Sequence, residues 1–246
     1  MSQQVIIDRD LIFRGAALYQ PNVKGPLMTE YKIFDEQFVI ATTNDWNEEE
    51  TNGGTIAAAA VDGGAMTLTC GSTANDCAEL SHTAQWSAAS ACGMEAKAKI
   101  SAITNVCVAI GFVDAKEATN DHIAGEITDA ALRDPTVTAD AALFVFDTNQ
   151  TTDVWYVGAI NNNTIGTPVA AKGTLIPVAN TYFKVRIQTD KVGNVTFYYN
   201  GVAVGYLPSA IAYASTNLLT PYVGIISRST GAAVCTVSRI TTWQEN

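Results

Sequence analysis

The acidic residues of this 246-residue chain are the first candidates for chemistry. A glycosidase needs two carboxyl groups that face each other, one to protonate the leaving group and one to act as nucleophile or base. Two pairs have a three-residue spacing, Asp114 with Glu117 and Glu126 with Asp129. Both pairs fall in a predicted loop or short helix, where carboxylates are normally solvated. We therefore predict no catalytic residue among them.

Motifs for nucleophilic catalysis and phosphate binding are missing from the sequence as well. The chain has only two histidines, His82 and His122, and no Gly-x-Ser-x-Gly segment to expose a nucleophilic serine. It also has no glycine-rich loop of the kind that holds phosphates. The sequence thus predicts a protein that is not an enzyme and uses no cofactor.

Asp and Asn oxygens raise the question of calcium binding. Asp147, Asn149 and Asp153 lie within one predicted loop. Further oxygen ligands come from Asp114, Asp121 and Asp129. The segment after Asp147 lacks the next ligand and the glycine of a calcium-binding loop, and Asp and Asn often bond their own backbone in turns. We favour turn formation over a metal site.

A sugar-binding site needs an exposed aromatic ring beside a few polar groups. Trp155 and Tyr156, followed by Asn161, have this composition. Because side chains alternate across a strand, we expect at most one of the two aromatic residues at the surface. Burial in the core is the competing interpretation of Trp155. For Trp86 and Trp243 it is the interpretation that we favour.

The charge balance excludes several partners. Lys and Arg number 14 and Asp and Glu 24, which gives a formal net charge of −10, and no basic stripe is evident. Such a chain repels phosphate backbones and anionic lipid, so we expect neither a nucleic-acid nor a membrane partner. The first ten residues predict no secretory signal, and synthesis in a cytoplasm is expected. No stretch of 18 apolar residues predicts a membrane span.

Five cysteines cannot all pair within one chain, and no two have Cys-x-x-Cys spacing. We expect them to be reduced and buried. A bridge between Cys70 and Cys77, across a hairpin, is the alternative.

Hydrophobic periodicity predicts an all-β protein. Residues 94–100 alternate between apolar and charged, which indicates a strand with one wet face. Residues 106–112 are continuously apolar, as in a central strand. Asn200-Gly201 joins two β-rich runs and predicts a hairpin with a type I′ turn. Only residues 125–133 suggest a short helix, which Pro135 would end.

The first 33 residues differ from the rest of the chain. They contain apolar patches, followed by a linker with two prolines and a glycine at residues 20–26. We predict an N-terminal arm and linker over residues 1–33 and a single sandwich domain over residues 34–246. An arm of this kind would bind a partner through Leu11, Phe13 and Tyr19; the alternative is a first strand packed on its own sandwich.

Several segments in order resemble the concanavalin A-like lectin and laminin G jelly roll. They are residues 34–38, the strand at 109–112, the hairpin at 182–204 and the closing strand at 237–243. The resemblance implies an all-β, antiparallel jelly-roll β-sandwich. β-Glucanases of this fold carry a Glu-x-Asp-x-x-Glu strand that places its carboxylates on one face, and that spacing does not occur here.

Within this superfamily the chain is most similar in style to tailed-phage virion proteins. The likeness lies in residues 51–55, in the Ala-, Thr- and Gly-rich strands and in the acidic charge. It implies a non-enzymatic capsid decoration or exterior head protein, present in multiple copies on the virion and bound to capsid or other virion proteins. The alternative is a carbohydrate-binding, lectin-like module for adsorption to a host surface, with a surface glycan as its partner. Fold alone does not decide between them.

Overall fold

The computed structural model describes residues 31–38, 46–59, 61–116, 122–128, 131–132, 138–213 and 217–245. These residues form nineteen strands and one short 3₁₀ helix, Ala88–Ser90. The strands are β1 (Tyr31–Glu36), β2 (Trp46–Thr51), β3 (Thr55–Ala59), β4 (Ala65–Thr69), β5 (Cys77–His82), β6 (Trp86–Ser87), β7 (Gly93–Ile100), β8 (Val106–Val113), β9 (Ile127–Thr128), β10 (Ala131–Leu132), β11 (Ala141–Asp147), β12 (Trp155–Asn161), β13 (Thr164–Ile165), β14 (Val169–Ala170), β15 (Phe183–Thr189), β16 (Val195–Tyr199), β17 (Val202–Leu207), β18 (Leu218–Ser227) and β19 (Val234–Glu245). The predicted all-β class is confirmed.

Two antiparallel sheets form a sandwich. The eight-stranded sheet has the order β17-β16-β15-β7-β19-β4-β3, and β1 pairs with β19 beside β4. The nine-stranded sheet has the order β13-β12-β11-β8-β18-β5-β2, with β14 on β12 and β6 on β18. In both sheets the last strand along the chain lies in the middle, which requires the long crossovers of a jelly roll.

The inner faces of the two sheets enclose one large core. Alternation along β7 buries Met94, Ala96, Ala98 and Ile100 and turns the intervening charged side chains outward, as predicted. Trp86, Trp155, Phe112, Phe144 and Phe197 are among the largest buried side chains. The aromatic rings of Phe144, Trp155, Phe183 and Phe197 contact one another at centroid distances of 5.2–6.1 Å. Burial of this apolar area is the main stabilising contribution to the fold.

The predicted hairpin is confirmed by its turn. Asn200 and Gly201 have φ values of 48° and 84°, so both central residues occupy the left-handed region that a type I′ turn requires. β16 and β17 pair antiparallel on either side of this turn. Since Asn and Gly tolerate positive φ best, the sequence signal and the backbone geometry have the same physical origin.

The predicted helix at residues 125–133 is wrong for the residues that the structure describes. Ile127–Thr128 and Ala131–Leu132 form a small antiparallel pair, β9 and β10. Gly125 has a φ of +95°, which is outside the helical region. Packing of Ile127 and Leu132 against the sheet below overrides the local preference for helix.

Two other predictions concern the N-terminal segment and the cysteines. The proposed binding residues Leu11, Phe13 and Tyr19 lie outside the described residues, and the last three residues of the proposed arm begin β1. All five cysteines are buried and unbridged. In the described part of the chain, no helix has the length and apolar character needed to cross a membrane.

Candidate functional site

The outer face of the nine-stranded sheet, called here the covered face, is buried. It is formed by alternate residues of the central strands, among them Ala109, Leu143 and Tyr222. The segment 122–128, called here the covering loop, packs on it through Ile123, Ala124 and Ile127. This second layer explains why every residue of β8 is buried, since both faces of the strand are covered.

Glycines on both sides make the close approach possible. A Cβ on Gly224 of β18 would lie 2.2 Å from the Tyr222 hydroxyl and 3.2 Å from Cβ of Ile123. In the covering loop, a Cβ on Gly125 would lie 2.6 Å from Leu143. The two layers are in close contact at these glycines, and neither position has room for a larger side chain.

A buried ionic cluster fastens the covering loop to the sheet. Nη1 of Arg228 lies 2.6 Å from Oε1 of Glu126, and its Nε and Nη2 donate to both oxygens of Asp147. Asp147 also accepts a hydrogen bond from the backbone N–H of Ile127 at 3.0 Å. His122 Nδ1 is 2.8 Å from the other oxygen of Glu126. The two carboxylates are almost fully buried, and the guanidinium between them offsets one of their two negative charges.

A second polar contact supports the middle of the covering loop. Glu79 of β5 accepts hydrogen bonds from the Tyr222 hydroxyl and, at 3.2 Å, from the backbone N–H of Ala124. Burial raises the pKa of Tyr222 well above its ordinary value, and the charge of Glu79 raises it further. The hydroxyl therefore remains a hydrogen-bond donor throughout the physiological pH range.

These contacts show that Glu126 was predicted wrongly, and they show what the candidate calcium ligand Asp147 binds. Glu126 was expected to be solvated, but it is 1% exposed and bound to Arg228. The carboxylate of Asp147 is likewise occupied by Arg228 and by backbone N–H groups, including that of Asn149. Among the described residues, no group of three or more His, Cys, Asp or Glu side chains has the arrangement of a metal site.

The residues proposed for glycan binding do not form a single site. Trp155 is fully buried between the sheets, so it is unavailable for stacking. Tyr156 points to the opposite face, as alternation predicted, and its hydroxyl donates to the carbonyl of Thr152 at 3.1 Å. The Asn161 amide, at the other end of β12, donates to the carbonyl of Ser209 at 2.7 Å.

The outer face of the eight-stranded sheet, called here the open face, lies on the opposite side of the sandwich. No described segment packs over its central strands as the covering loop packs on the covered face. Its outward side chains are largely polar. They come from four neighbouring strands and include Glu95, Lys97, Lys99, Lys184, Arg186, Gln188, Thr196, Tyr198, Arg239, Thr241 and Trp243.

Trp243 lies on this open face and not in the core, where the sequence had placed it. It is partly exposed and stands directly opposite Gly93 of β7. A Cβ on Gly93 would lie 2.5 Å from Cζ2 and 2.6 Å from Cε2 of the indole. The ring therefore rests on the Gly93 backbone, and only glycine leaves room for it there.

The indole forms one wall of a pocket of about 470 Å³. The polar side chains that line it are Gln188, Asp190, Lys191 and Glu245. Nζ of Lys191 lies 2.7 Å from Glu245, while Asp190 accepts hydrogen bonds from Val192 and Asn194. The Gln188 amide makes no hydrogen bond within the described part of the chain. We name this site the Trp243 pocket.

The sequence carried two signals for this pocket that could not be combined without the structure. Trp243 lies in an alternating strand, and Gly93 begins another one 150 positions earlier. Their pairing across β7 and β19 becomes visible only when the register is known.

No family model matches the chain, and no curated protein matches its sequence. Solved structures do match. Bacillus licheniformis β-glucanase shares 14% identity at a TM-score of 0.58, over 85% of this chain and 97% of that one. Peanut lectin shares 15% at 0.57, over 88% and 99%. The potassium-bound carbohydrate recognition domain of Emp46p shares 8% at 0.54, over 84% and 93%.

At these identities the likeness concerns the fold alone, and both enzymes and lectins share it. The strand order, the two antiparallel sheets and these structural neighbours agree with one another. The chain has the concanavalin A-like jelly-roll fold.

Proposed function

We propose that this protein is a lectin-like, carbohydrate-binding module that acts without catalysis and binds glycan at the Trp243 pocket. The observation that supports this proposal is the position of the indole, which rests on Gly93 and lines the pocket. An aromatic platform held in one orientation loses little conformational entropy when a sugar ring stacks on it.

The polar groups of the pocket suit hydroxyl recognition. Gln188 offers an amide donor and acceptor, Lys191 offers ammonium donors, and Asp190 and Glu245 offer acceptors. Such a mixture beside one aromatic ring is the usual composition of a site that fixes a ligand's orientation through few polar contacts. Lectins among the structural neighbours support this interpretation at the level of the fold.

The protonation states in the pocket favour binding over hydrolysis. A glycosidase needs a carboxylic acid whose pKa is raised so that it can donate a proton. Burial would raise the pKa of Asp190, but hydrogen bonds from Asn194 and from the Val192 backbone hold it below its ordinary value. Glu245 is paired with Lys191. Asp190 therefore lacks the environment of a general acid, and Glu245 is held in an ion pair.

The place of action remains a prediction. Display on a virion surface and adsorption to a host are compatible with a glycan-binding module, and binding to capsid proteins through residues 1–33 is an additional hypothesis. None of the structures named above is a virion protein.

Affinity electrophoresis of the full chain in gels containing barley β-glucan, dextran, alginate or dextran sulfate tests the proposal. We expect retardation by at least one polysaccharide, and Trp243→Ala should weaken binding by about tenfold or more. Tyr213→Ala is the matched control, because Tyr213 is an aromatic residue that is 55% exposed and lies outside the pocket.

Fluorescence gives an independent measure in the same samples. Trp46, Trp86 and Trp155 are buried, so Trp243 should dominate quenching by acrylamide. Bound polysaccharide should protect it. Lack of binding by every polysaccharide, or equal binding by the Trp243→Ala variant, would overturn the proposed site. Release of reducing sugar from β-glucan by the purified chain would contradict a non-catalytic role.

A further inference from the structure

Positive charge is concentrated on the open face, although the protein is acidic as a whole. The described residues contain ten lysines and arginines. Five of them project from the open face, namely Lys97, Lys99, Lys184, Arg186 and Arg239. Asp35 and Glu95 are the carboxylates between them, so these seven side chains sum to +3. With Asp190, Lys191 and Glu245 of the Trp243 pocket the sum is +2, whereas the whole chain carries −10.

Like charges are placed side by side in this region. Lys184, Lys97 and Arg239 stand directly opposite one another on β15, β7 and β19. At the usual spacing of neighbouring strands, this row is about 10 Å long. Like charges directly opposite each other destabilise a sheet, so this row opposes folding except where carboxylates pair with it.

Carboxylates neutralise only part of this charge. Asp35 holds Arg239 through two hydrogen bonds of 2.7 and 3.0 Å, and Glu95 lies 3.3 Å from Nζ of Lys184. Lys97, Lys99 and Arg186 have no carboxylate partner in the part of the chain that the structure describes. These three cations are available to an anionic ligand.

Aromatic rings hold the same three cations in position. The ring of Tyr182, which is 39% exposed, lies 4.8 Å from Nζ of Lys97 and 5.1 Å from Nζ of Lys99. The guanidinium of Arg186 stacks at 4.0 Å over Tyr198. Its Nε is buried and has no hydrogen-bond partner among the described residues. Cation–π contacts orient these groups. Glu95 stands opposite Arg186 on β7, but its carboxylate contacts Lys184.

We infer that the ligand of this protein is an acidic polysaccharide, whose sugar ring stacks in the Trp243 pocket and whose carboxylate or sulfate groups contact Lys97, Lys99 and Arg186. The inference rests on the proposed function and specifies its ligand class. Gly93, under the indole, and Lys97 are four residues apart on β7, which is about 13 Å. A ligand that reaches both is a chain of sugars and not a single one.

Charge complementarity favours this ligand over nucleic acid. The positive region is confined to one sheet face, and the rest of the molecule repels a long, densely charged phosphate backbone. A polysaccharide with one charge per sugar or fewer meets less of this repulsion, and it offers rings for the indole.

The test compares the full chain with a Lys97→Glu/Lys99→Glu variant against alginate, dextran sulfate and uncharged dextran. Alginate supplies carboxylates and dextran sulfate supplies sulfates, so the two arms distinguish the anionic group. We expect the wild type to prefer an acidic polysaccharide to dextran. The variant should bind that polysaccharide at least about tenfold more weakly, and raising NaCl from about 0.05 M to about 0.5 M should weaken wild-type binding.

The single variants Lys97→Glu and Lys172→Glu provide a matched control, because each changes the charge at one lysine. Lys172 is exposed and lies outside the open face. Equal weakening by Lys172→Glu and Lys97→Glu would show a general charge effect and overturn the inference. Dextran binding equal to that of alginate and dextran sulfate, with dependence on Trp243, would overturn it while the proposed function stands. Failure to bind any polysaccharide would remove both. A preference for single-stranded DNA over both acidic polysaccharides would overturn the ligand class.

Discussion

The two sheets of this sandwich have outer faces that arise from the same alternation of side chains but differ in what covers them. On the covered face, most outward residues of the central strands are small or apolar, and the covering loop packs on them. On the open face, the outward residues are charged, amide or aromatic, and the structure describes no layer over the central strands. Each solution satisfies the same requirement, since apolar surface must be buried and polar surface hydrated.

The difference shows where a ligand can bind in this molecule. Carboxylates do occur on the covered face, but Arg228, Tyr222 and backbone N–H groups occupy them. Buried charge of this kind holds the two layers together, and among the described residues its hydrogen-bonding groups are occupied by the protein. On the open face, Nε of Arg186 is buried and has no hydrogen-bond partner among the described residues. Three predictions test this contrast.

The largest effect is expected at Arg228. Arg228→Met would leave Asp147 and Glu126 buried without their cation, and loss of one partner from a buried ion pair costs about 3–5 kcal/mol. Urea unfolding measures the change. Lys191→Met removes an exposed partner of Glu245 and should change the free energy of unfolding by less than about 1 kcal/mol. Similar losses for both variants would contradict the contrast between the faces.

An intermediate effect is expected from adding a methyl group to one glycine on each face. In Gly224→Ala the new Cβ meets the hydroxyl of Tyr222, which is held by Glu79, and overpacking should cost about 1–3 kcal/mol. In Gly93→Ala the new Cβ meets the indole of Trp243, and this side chain can change rotamer and move towards solvent.

Gly93→Ala should therefore leave the free energy of unfolding nearly unchanged, increase acrylamide quenching of Trp243 and weaken polysaccharide binding. Thermal unfolding and quenching of the two variants in parallel give the comparison. A Gly93→Ala protein that binds like the wild type would show that the indole does not need its present position.

The smallest effect is expected in the dependence of stability on pH. The open face should lose stability at the acid end of the pH range and the covered face at the alkaline end. Burial would raise the pKa of Asp35 on the open face, but Arg239, Thr241 and Gln37 lower it below its ordinary value of 3.8. Folding therefore favours the ionised form, and this contribution is present above pH 3.8 and lost as the pH falls below it. Burial raises the pKa of Tyr222 above its ordinary value of 10.0, so its contribution is lost as the pH rises beyond 10.0.

Asp35→Asn should flatten the acid limb of a stability–pH profile, and Tyr222→Phe the alkaline limb. Each variant serves as the control for the other. A substitution that altered both limbs equally would show that the pH response does not divide between the faces.

The sequence predicted the fold where the signal was local. Asn200 and Gly201 specify their own turn, and alternation within residues 94–100 places Lys97 and Lys99 at a wet surface. The continuous apolar run at 106–112 predicted a strand buried on both faces, which β8 is. These properties depend on residues that are close together in the chain, so a single sequence is enough to predict them.

The candidate site depended on contacts between distant residues. The row of Lys184, Lys97 and Arg239 joins three strands that are far apart in the chain, so no basic stripe was visible in the sequence. Trp243 reads as a core residue until Gly93 is known to lie beneath it. The register between non-consecutive strands depends on the whole fold. A shift of one residue in this register would move every side chain of the strand to the opposite face of the sheet.

The central positions of β18 and β19 also have a consequence for synthesis on the ribosome. β18 separates β8 from β5, and β19 separates β7 from β4. Until residues 218–245 have been made, neither sheet can be completed, and six strands (β1, β4, β5, β6, β7 and β8) lack a partner. Such open edges are prone to pairing with other nascent chains. Completion of both sheets therefore waits for residues 218–245, and folding should be slow because most of the contacts are long-range.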